Sequence, residues 1–368
     1  MKGISNKHIF MCIENDSFLQ LFVDVLVSKT NLNKDDFAIV IIPLKTRHPF
    51  NKVIDAEFID YNESLIPDLV NAKSLTFMSL NNWNSVVLNK LVDQDNKIVN
   101  KIFIFIGDDE IDRWNKNFNI NTFLKEDESQ HISSEVIKAL SYRLNFIMSH
   151  KYFYDVLKKI LSIDKINVID ASLTFDILLT DQSEKLFHIV KSSFKKDEKI
   201  LIGSKANSFG FRATTKILNS FYKLETINNY KFVCLNQGKH RIALMLYIFF
   251  FRLFKKINLQ VEFFPTTEAL TYNSMVSSIS YFILQDRGGV STARNFAKWG
   301  CGVLCVMQDS PNSGLFKDVY KIDFIDFENY DEIANKIKNS QHINVQLNRM
   351  KIMDEELRSI DQLSKIYN

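Results

Sequence analysis

The sequence predicts an α/β protein of two domains, each built on a doubly wound parallel sheet. Three observations lead to this prediction. The 368 residues exceed the roughly 250 at which a single core usually stops growing. Short β-branched or aromatic runs alternate with helical patterns, which is typical of parallel strands joined by crossover helices. The polar stretch 190–199 interrupts this alternation before a new strand pattern begins at Ile200, and we interpret it as a linker.

Residues 1–190 are expected to form the N-terminal domain. Apolar residues at helical spacing predict helices over 18–28, 64–71 and 84–94, and one long helical stretch over 133–161. The predicted strands cover 8–13, 37–42, 56–60, 74–79, 101–106 and 167–171.

Residues 199–340 are expected to form a C-terminal domain, followed by a C-terminal helix over 341–368. The same alternation predicts helices over 206–221 with its loop, 241–255, 267–277 and 292–299. The predicted strands cover 199–203, 231–235, 258–263, 279–284 and 303–307. Ligands of such sheets bind outside the carboxyl ends of the strands.

Composition and charge exclude several classes of protein. A formal net charge of +3 gives no indication of a nucleic-acid partner. The four cysteines lack metal-binding spacing, so we expect reduced buried thiols and no metal site. The first residues lack the pattern of a signal peptide, which indicates a cytoplasmic protein. The apolar run 242–251 is about half of the ~20 residues that span a membrane and predicts a buried or interfacial helix.

The segment 280–306 carries the strongest functional signal. An apolar strand runs into Gly288-Gly289, and two hydroxyl side chains follow at a helix start. The exposed N–H groups and the dipole of a helix N-terminus favour a phosphate. Arg287 and Arg294 would add full positive charges nearby. The alternative is a plain strand–turn–helix in which the glycines only make the turn.

Four segments together carry a family resemblance. They are the segment 280–306, the polar Asn/Pro loop of 303–312, the strand–Gly–Asn/Ser loop of 200–208 and the aromatic strand ending in Gly–Asp at 101–109. Their order and spacing over roughly residues 70–335 resemble the TDP-N-acetylfucosamine:lipid II N-acetylfucosaminyltransferases. This chain departs from that family at Asp286-Arg287 and at Ser291-Thr292, where the family has a more neutral turn.

The resemblance implies the GT-B architecture, in which two Rossmann-like domains face each other. The N-terminal domain would bind the acceptor and the C-terminal domain a nucleotide-diphosphate sugar. Transfer would need neither metal nor cofactor, because main-chain N–H groups and basic side chains offset the diphosphate charge. The residues implied in donor binding are Ser204, Lys205 and Asn207 for phosphate, and Arg287, Gly288, Gly289, Val290, Ser291 and Thr292 for the diphosphate or ribose.

A transferase also needs a base near the acceptor hydroxyl. Asp109 or Asp108, just past the strand over 101–106, is the first candidate, and Glu14 after the first strand is the second. The alternative is that such acids, like Asp16, only cap the following helix.

Two further segments have a functional and a plain interpretation. His240, with Lys239 and Arg241, could face a ligand cleft or belong to a solvated loop. The mixture of cations and aromatics over 142–159 suits an interfacial helix on anionic lipid, or an amphipathic helix packed on the first sheet.

The sequence therefore predicts a hexosyltransferase of polysaccharide biosynthesis that uses a TDP- or UDP-sugar. Its acceptor would be a lipid-linked or surface glycan, and the enzyme would be peripheral to the inner membrane face. Two alternatives stay open: a protein O- or N-glycosyltransferase, and a non-catalytic GT-B-like binding or scaffold protein.

Overall fold

The structure is a computed structural model. It describes residues 3–14, 16, 18–44, 52, 54–107, 111, 114, 132–162, 165–171, 181–193, 198–205, 208–235, 238–265, 267, 269–299, 302–340 and 342–368. These residues form two compact units. The first contains residues 1–175 and 356–368, and the second contains residues 176–355.

The N-terminal unit contains a seven-stranded sheet, all of whose described pairings are parallel. The strands are β1 (His8–Ile13), β2 (Phe37–Ile42), β3 (Phe58–Asp60), β4 (Ser74–Met78), β5 (Ile102–Phe105), β6 (Asn145–Met148) and β7 (Asn167–Asp170). Their order in the sheet is β3-β2-β1-β4-β5-β6-β7. Every residue of β2 is buried, as expected for a parallel sheet covered on both faces.

Helices cover this sheet and enclose one apolar core on each face. Short 3₁₀ turns at Glu63–Leu65 and Asn96–Lys101 supplement the helices. The helices are α1 (Phe18–Lys29), α2 (Ile66–Val70), α3 (Asn84–Gln94), α4 (Ser134–Leu140) and α5 (His150–Leu161).

The C-terminal unit contains a six-stranded parallel sheet. The strands are β8 (Lys199–Ile202), β9 (Lys231–Leu235), β10 (Gln260–Phe264), β11 (Tyr281–Ile283), β12 (Val303–Met307) and β13 (Ile325–Phe327). Their order in the sheet is β10-β9-β8-β11-β12-β13. Short 3₁₀ turns lie at Ile227–Asn229 and Gly238–His240, and a π-helical turn at Leu315–Val319. The helices are α6 (Asp181–Ser193), α7 (Phe211–Lys223), α8 (Arg241–Lys255), α9 (Ala269–Val276), α10 (Val290–Lys298), α11 (Pro311–Gly314), α12 (Ile333–Lys338) and α13 (Val345–Tyr367).

The long helical stretch predicted over 133–161 is wrong. A helix ends at Leu140, and the strand β6 separates it from α5. Phe146, Ile147 and Met148 are buried between β5 and β7. An apolar run of this kind suits a buried parallel strand, but it is too short to interrupt a helical pattern visibly.

The unit boundaries differ from the predicted boundaries at 190–199 and 340–341. Helix α6 packs in the C-terminal unit, where the Phe187 ring lies 4.7 Å from that of Trp299. The last residues of α13 return to the N-terminal unit. There the buried Tyr367 hydroxyl lies 2.7 Å from Thr76 Oγ1, and Arg358 Nη1 lies 3.1 Å from Asp170 Oδ2. In the described part of the chain, no helix is long and apolar enough to cross a bilayer.

Candidate functional site

Each sheet has a point at which the strand order reverses. In the C-terminal unit this point lies between β8 and β11, and in the N-terminal unit between β1 and β4. The loops after two such strands diverge and leave a crevice at the carboxyl edge, where open α/β sheets bind their ligands. The segments after β8 and β11 are the two that carry the predicted phosphate residues.

Ser204, the first polar residue after β8, makes three hydrogen bonds with the side chains of Gln285 and Tyr272. Gln285 Oε1 accepts a hydrogen bond from the Ser204 N–H at 3.1 Å, and Gln285 Nε2 donates to Ser204 Oγ at 2.6 Å. The hydroxyl of Tyr272 donates to the Ser204 carbonyl oxygen at 2.6 Å. Ser204 therefore joins the two strand ends, and its backbone N–H is directed at Gln285.

The Gly288-Gly289 turn requires glycine at both positions, because its backbone is left-handed with φ of +74° and +76°. A Cβ on Gly289 would lie 2.5 Å from Gln285 Nε2 and 2.8 Å from Ser204 Cβ. The turn therefore packs directly on the Ser204–Gln285 pair. The ammonium of Lys205 lies 4.0 Å from the position that a Cβ on Gly288 would take, which places a positive charge beside the turn.

The side chain of Asn312 also stabilises the Gly288-Gly289 turn. Its Nδ2 donates to the carbonyl oxygen of Gln285 at 2.6 Å and to that of Gly288 at 3.0 Å. Asn312 is itself buried. Asn312, in α11 just after β12, thus holds the glycine turn in place through two of its carbonyl groups.

Helix α10 begins directly after the turn, with Gly289 at its N-cap position and no side-chain cap. The backbone N–H groups of Val290, Ser291 and Thr292 lie in its first turn, where N–H groups have no partner within the helix. No acidic residue lies in that turn. The dipole of the helix therefore favours an anion there.

The two arginines of this segment differ in exposure. Arg287 is partly exposed at the turn, whereas Arg294 is fully buried in the second turn of α10. Arg287 is thus the arginine that a ligand in solution can reach.

Two tyrosines border this region of the unit. Burial, partly offset by a hydrogen bond with Thr292, raises the pKa of Tyr272 to about 12. Burial, and after it the Asp286 carboxylate, raises the pKa of Tyr330 to about 12. Both phenols therefore stay protonated at neutral pH and act as hydrogen-bond donors.

The acidic candidates belong to the N-terminal unit. Asp108 and Asp109 lie outside the described residues, as does the phosphate candidate Asn207. Glu14 follows β1 in a turn. Asp16 caps α1, because its Oδ1 accepts from the N–H groups of Phe18 at 2.8 Å and Leu19 at 3.0 Å.

Ser79, which follows β4 on the other side of the switch point, was not identified by any sequence pattern. Its backbone is left-handed, with φ of +60°. The Asn84 side chain donates to the Ser79 carbonyl oxygen at 3.0 Å. Such a conformation is uncommon outside glycine and tends to occur at functional sites.

The remaining sequence candidates are the cysteines, a metal site and His240. The described cysteines, Cys12, Cys234 and Cys305, are buried free thiols. Within the described ranges, no group of three or more His, Cys, Asp or Glu could hold a metal ion. His240 ends a 3₁₀ turn and precedes α8.

Comparisons with known proteins give structural neighbours alone. No family model matches the chain, and no curated protein matches it in sequence. A glycosyltransferase from Rickettsia africae aligns with a TM-score of 0.58 at 11% identity, covering 99% of this chain and 98% of that one. The UDP-forming trehalose-phosphate synthase of Burkholderia xenovorans aligns with a TM-score of 0.61 at 8% identity, covering 98% and 97%. WaaG, a glycosyltransferase of lipopolysaccharide biosynthesis, aligns with a TM-score of 0.51 at 9% identity, covering 98% and 95%.

These alignments extend over nearly the full length of each chain, so they include both sheets. At such low identity they concern the fold. Together with the two switch points, they confirm the predicted fold class: the chain has the α/β fold of the GT-B glycosyltransferases.

Proposed function

We propose that this protein is a glycosyltransferase that moves a hexose from a nucleotide-diphosphate sugar to a glycan acceptor. The observation that carries the proposal is the turn between β11 and α10. It combines two left-handed glycines, an uncapped helix start and the Lys205 ammonium. Backbone N–H groups and cations at one strand edge are what a diphosphate leaving group requires.

The donor would lie at the carboxyl edge of the C-terminal sheet. We propose that the N–H groups of Val290, Ser291 and Thr292 contact the diphosphate and that Arg287 and Lys205 neutralise it. Ser204 would act by holding the glycine turn through Gln285, because its own N–H already bonds that side chain. This division separates the groups that touch the donor from those that position them.

The base of the donor is proposed as uracil or thymine. A structural neighbour, a trehalose-6-phosphate protein from E. coli, was solved with UDP-2-fluoro glucose and aligns with a TM-score of 0.58 at 7% identity. The sequence resemblance to the TDP-N-acetylfucosamine transferases supports a TDP-sugar. The resemblance and the involvement of WaaG in lipopolysaccharide biosynthesis both support a lipid-linked or surface glycan as acceptor.

The proposed chemistry needs no metal ion. As the sugar–phosphate bond breaks, negative charge develops on the diphosphate, and fixed N–H donors and cations stabilise that charge. The acceptor oxygen would bond the anomeric carbon as the diphosphate leaves, and the carboxylate of an acidic residue of the N-terminal unit, with Asp109 or Asp108 first and Glu14 second, would accept the proton of the acceptor hydroxyl.

The experiment is a thermal-shift screen against UDP, TDP, GDP, CDP and CMP without metal. A ligand that binds only the folded protein raises its melting temperature by mass action. Arg287→Ala should lose most of the shift, while Arg349→Ala, an exposed arginine of α13, should keep it. No shift with any nucleotide would contradict the proposal and favour a non-catalytic binding protein.

A further inference from the structure

Helix α8 exposes an apolar face that the fold leaves uncovered. Its opposite side packs into the core of the C-terminal unit through Leu244, Ile248 and Phe251. The exposed side chains recur at intervals of three and four residues, which places them on one face of a helix with about 3.6 residues per turn. They are between 49% and 73% exposed and comprise Ile242, Met245, Leu246, Phe249, Phe250, Leu253 and Phe254.

This face, termed the α8 face, is larger than the scattered apolar residues of an ordinary surface. These seven large side chains, each about half or more exposed, present an area on the order of 700 Å², taking roughly 180 Å² for the full surface of each. The largest apolar patch of a typical monomer is about 300–600 Å². Phe250 and Phe254 stack on each other, with ring centroids 6.0 Å apart, so the patch is continuous over its second half. An apolar surface of this extent needs a partner.

Cations border the α8 face, and acids are missing from it. Arg241 and Arg252 are exposed and lie eleven residues apart, about three turns, so they share one edge of the helix. Lys255 and Lys256 are exposed at its C-terminal end, where Lys255 Nζ lies over the Tyr222 ring, 5.3 Å from its centroid. The sequence has no Asp or Glu between Glu225 and Glu262. The partner must therefore be apolar inside and negatively charged at its rim.

A second copy of this chain does not meet that requirement. If two α8 faces met in antiparallel fashion, Arg241 of each copy would approach Lys255 and Lys256 of the other. A parallel pairing would set each cation against its own counterpart. Like charges at close range oppose association, whereas a bilayer with anionic headgroups offers both the apolar interior and the negative rim.

We propose that the α8 face docks this protein on an anionic bilayer surface. The helix has 15 residues, about 22 Å at roughly 1.5 Å per residue, so it would lie in the plane of the interface and not across it. The phenylalanines would enter the acyl boundary. The charges of Arg241, Arg252 and Lys256 would lie near the headgroups, with Arg252 held in place by hydrogen bonds from its guanidinium to the Leu259 carbonyl oxygen. The inference extends the proposed lipid-linked acceptor, but it depends only on the surface of α8.

The experiment measures co-sedimentation of the full chain with vesicles. Vesicles of phosphatidylglycerol and phosphatidylcholine in equal parts should bind the protein, and vesicles of phosphatidylcholine alone should bind it at least about tenfold more weakly. Phe249→Ser with Phe250→Ser should weaken binding at least about tenfold, because the inserted apolar area is lost.

Charge and control variants sharpen the result. Lys255→Gln with Lys256→Gln should weaken binding by about fivefold per cation, or about 25-fold for the pair. The matched control is Leu186→Ser with Ile189→Ser, which removes an exposed apolar pair of α6 that is 52% and 67% exposed and should leave vesicle binding unchanged. Circular dichroism and the melting temperature check that each variant is folded.

Three outcomes would overturn the inference. They are no binding to the anionic vesicles, equal binding to both kinds of vesicle, and undiminished binding of the folded Phe249→Ser, Phe250→Ser variant. A dimer in sedimentation equilibrium that this variant abolishes, without vesicle binding by the native chain, would assign the α8 face to a second copy. Nucleotide binding is measured in the separate thermal-shift experiment. A failure of the proposed function would therefore not change the interpretation of the vesicle-binding result.

Discussion

The glycine turn allows a graded test of the site, because three glycines of the C-terminal unit differ in what alanine would meet. Gly210 has φ of −74°, and no atom lies within 4 Å of its added Cβ. Gly288 has a left-handed backbone but open space around it, with Lys205 Nζ 4.0 Å away. Gly289 has a left-handed backbone, and its added Cβ would overlap with Ser204 Oγ and lie 2.5 Å from Gln285 Nε2 and 2.8 Å from Ser204 Cβ.

The magnitudes follow from these geometries. Gly210→Ala should change the free energy of unfolding by less than about 0.5 kcal/mol. Gly288→Ala forces alanine into the left-handed region and should cost about 1 kcal/mol. Gly289→Ala adds displacement of the Ser204–Gln285 pair, about 1–3 kcal/mol more, for a total of about 2–4 kcal/mol. In a unit of this size, at about 2–4 °C per kcal/mol, the melting temperature should fall by about 2–4 °C for Gly288→Ala and about 4–16 °C for Gly289→Ala.

Differential scanning calorimetry is the suitable assay, because it can separate the transitions of two units that a single-probe melt would merge. Nucleotide-induced shifts of the same variants report the site. Gly289→Ala should lose most of its nucleotide shift, since the N–H groups of Val290 and Ser291 move with the turn. If the Gly289→Ala and Gly288→Ala variants have the same melting temperature, the contact with Ser204 and Gln285 is absent and the reasoning is refuted. Ser204→Gly should partly restore Gly289→Ala, because it removes the obstructing atoms.

Three further predictions concern the N-terminal unit. Burial, and after it the Lys73 charge, lowers the pKa of His8 from 6.5 to about 4. The unfolded chain then binds more protons than the folded one between pH 6.5 and pH 4. The free energy of unfolding should therefore fall by about 2 kcal/mol as the pH is lowered through that window, after allowance for solvent screening. His8→Gln should reduce this pH-dependent loss, as measured by urea unfolding at each pH. Tyr367→Phe should cost about 1–3 kcal/mol in urea unfolding, because it leaves the buried Thr76 hydroxyl without the partner at 2.7 Å. Asp109→Asn should lower the transfer rate at least about a hundredfold while keeping the nucleotide shift, and equal turnover would exclude Asp109 as the base.

Local pattern was sufficient for most of the fold. The strands Phe37–Ile42, Lys231–Leu235 and Val303–Met307 have the bounds that the sequence predicts, since each contains a run of at least four apolar residues that ends at a proline or a polar residue. Parallel strands buried on both faces need such runs, and the runs are visible without knowledge of their neighbours. Strand β6 was missed because its four residues lie between two helical patterns.

The candidate site was predictable only in its local part. The Gly288-Gly289 turn and the helix start are adjacent in sequence, so the pattern reveals them. The bond between Ser204 and Gln285 joins residues 81 positions apart, and it exists because β8 pairs with β11. No periodicity indicates which strands pair, so the positioning roles of Gln285, Tyr272 and Asn312 appear only in three dimensions.

Two helices of this chain mix cations with aromatic residues, and the structure gives them different surroundings. Helix α5 lies in the segment for which the sequence allows an interfacial helix or a helix packed on the first sheet. It buries Leu157 and Ile160 in the core of the N-terminal unit and exposes Lys158 and Lys159, as the second alternative predicts. Helix α8 is apolar on both sides, and one sheet face can cover only one of them. The amphipathic pattern of α5 therefore describes a helix completed by its own domain. The excess of apolar residues in α8 is the feature that requires something outside the fold, and the cations at its border make an anionic bilayer the surface that fits.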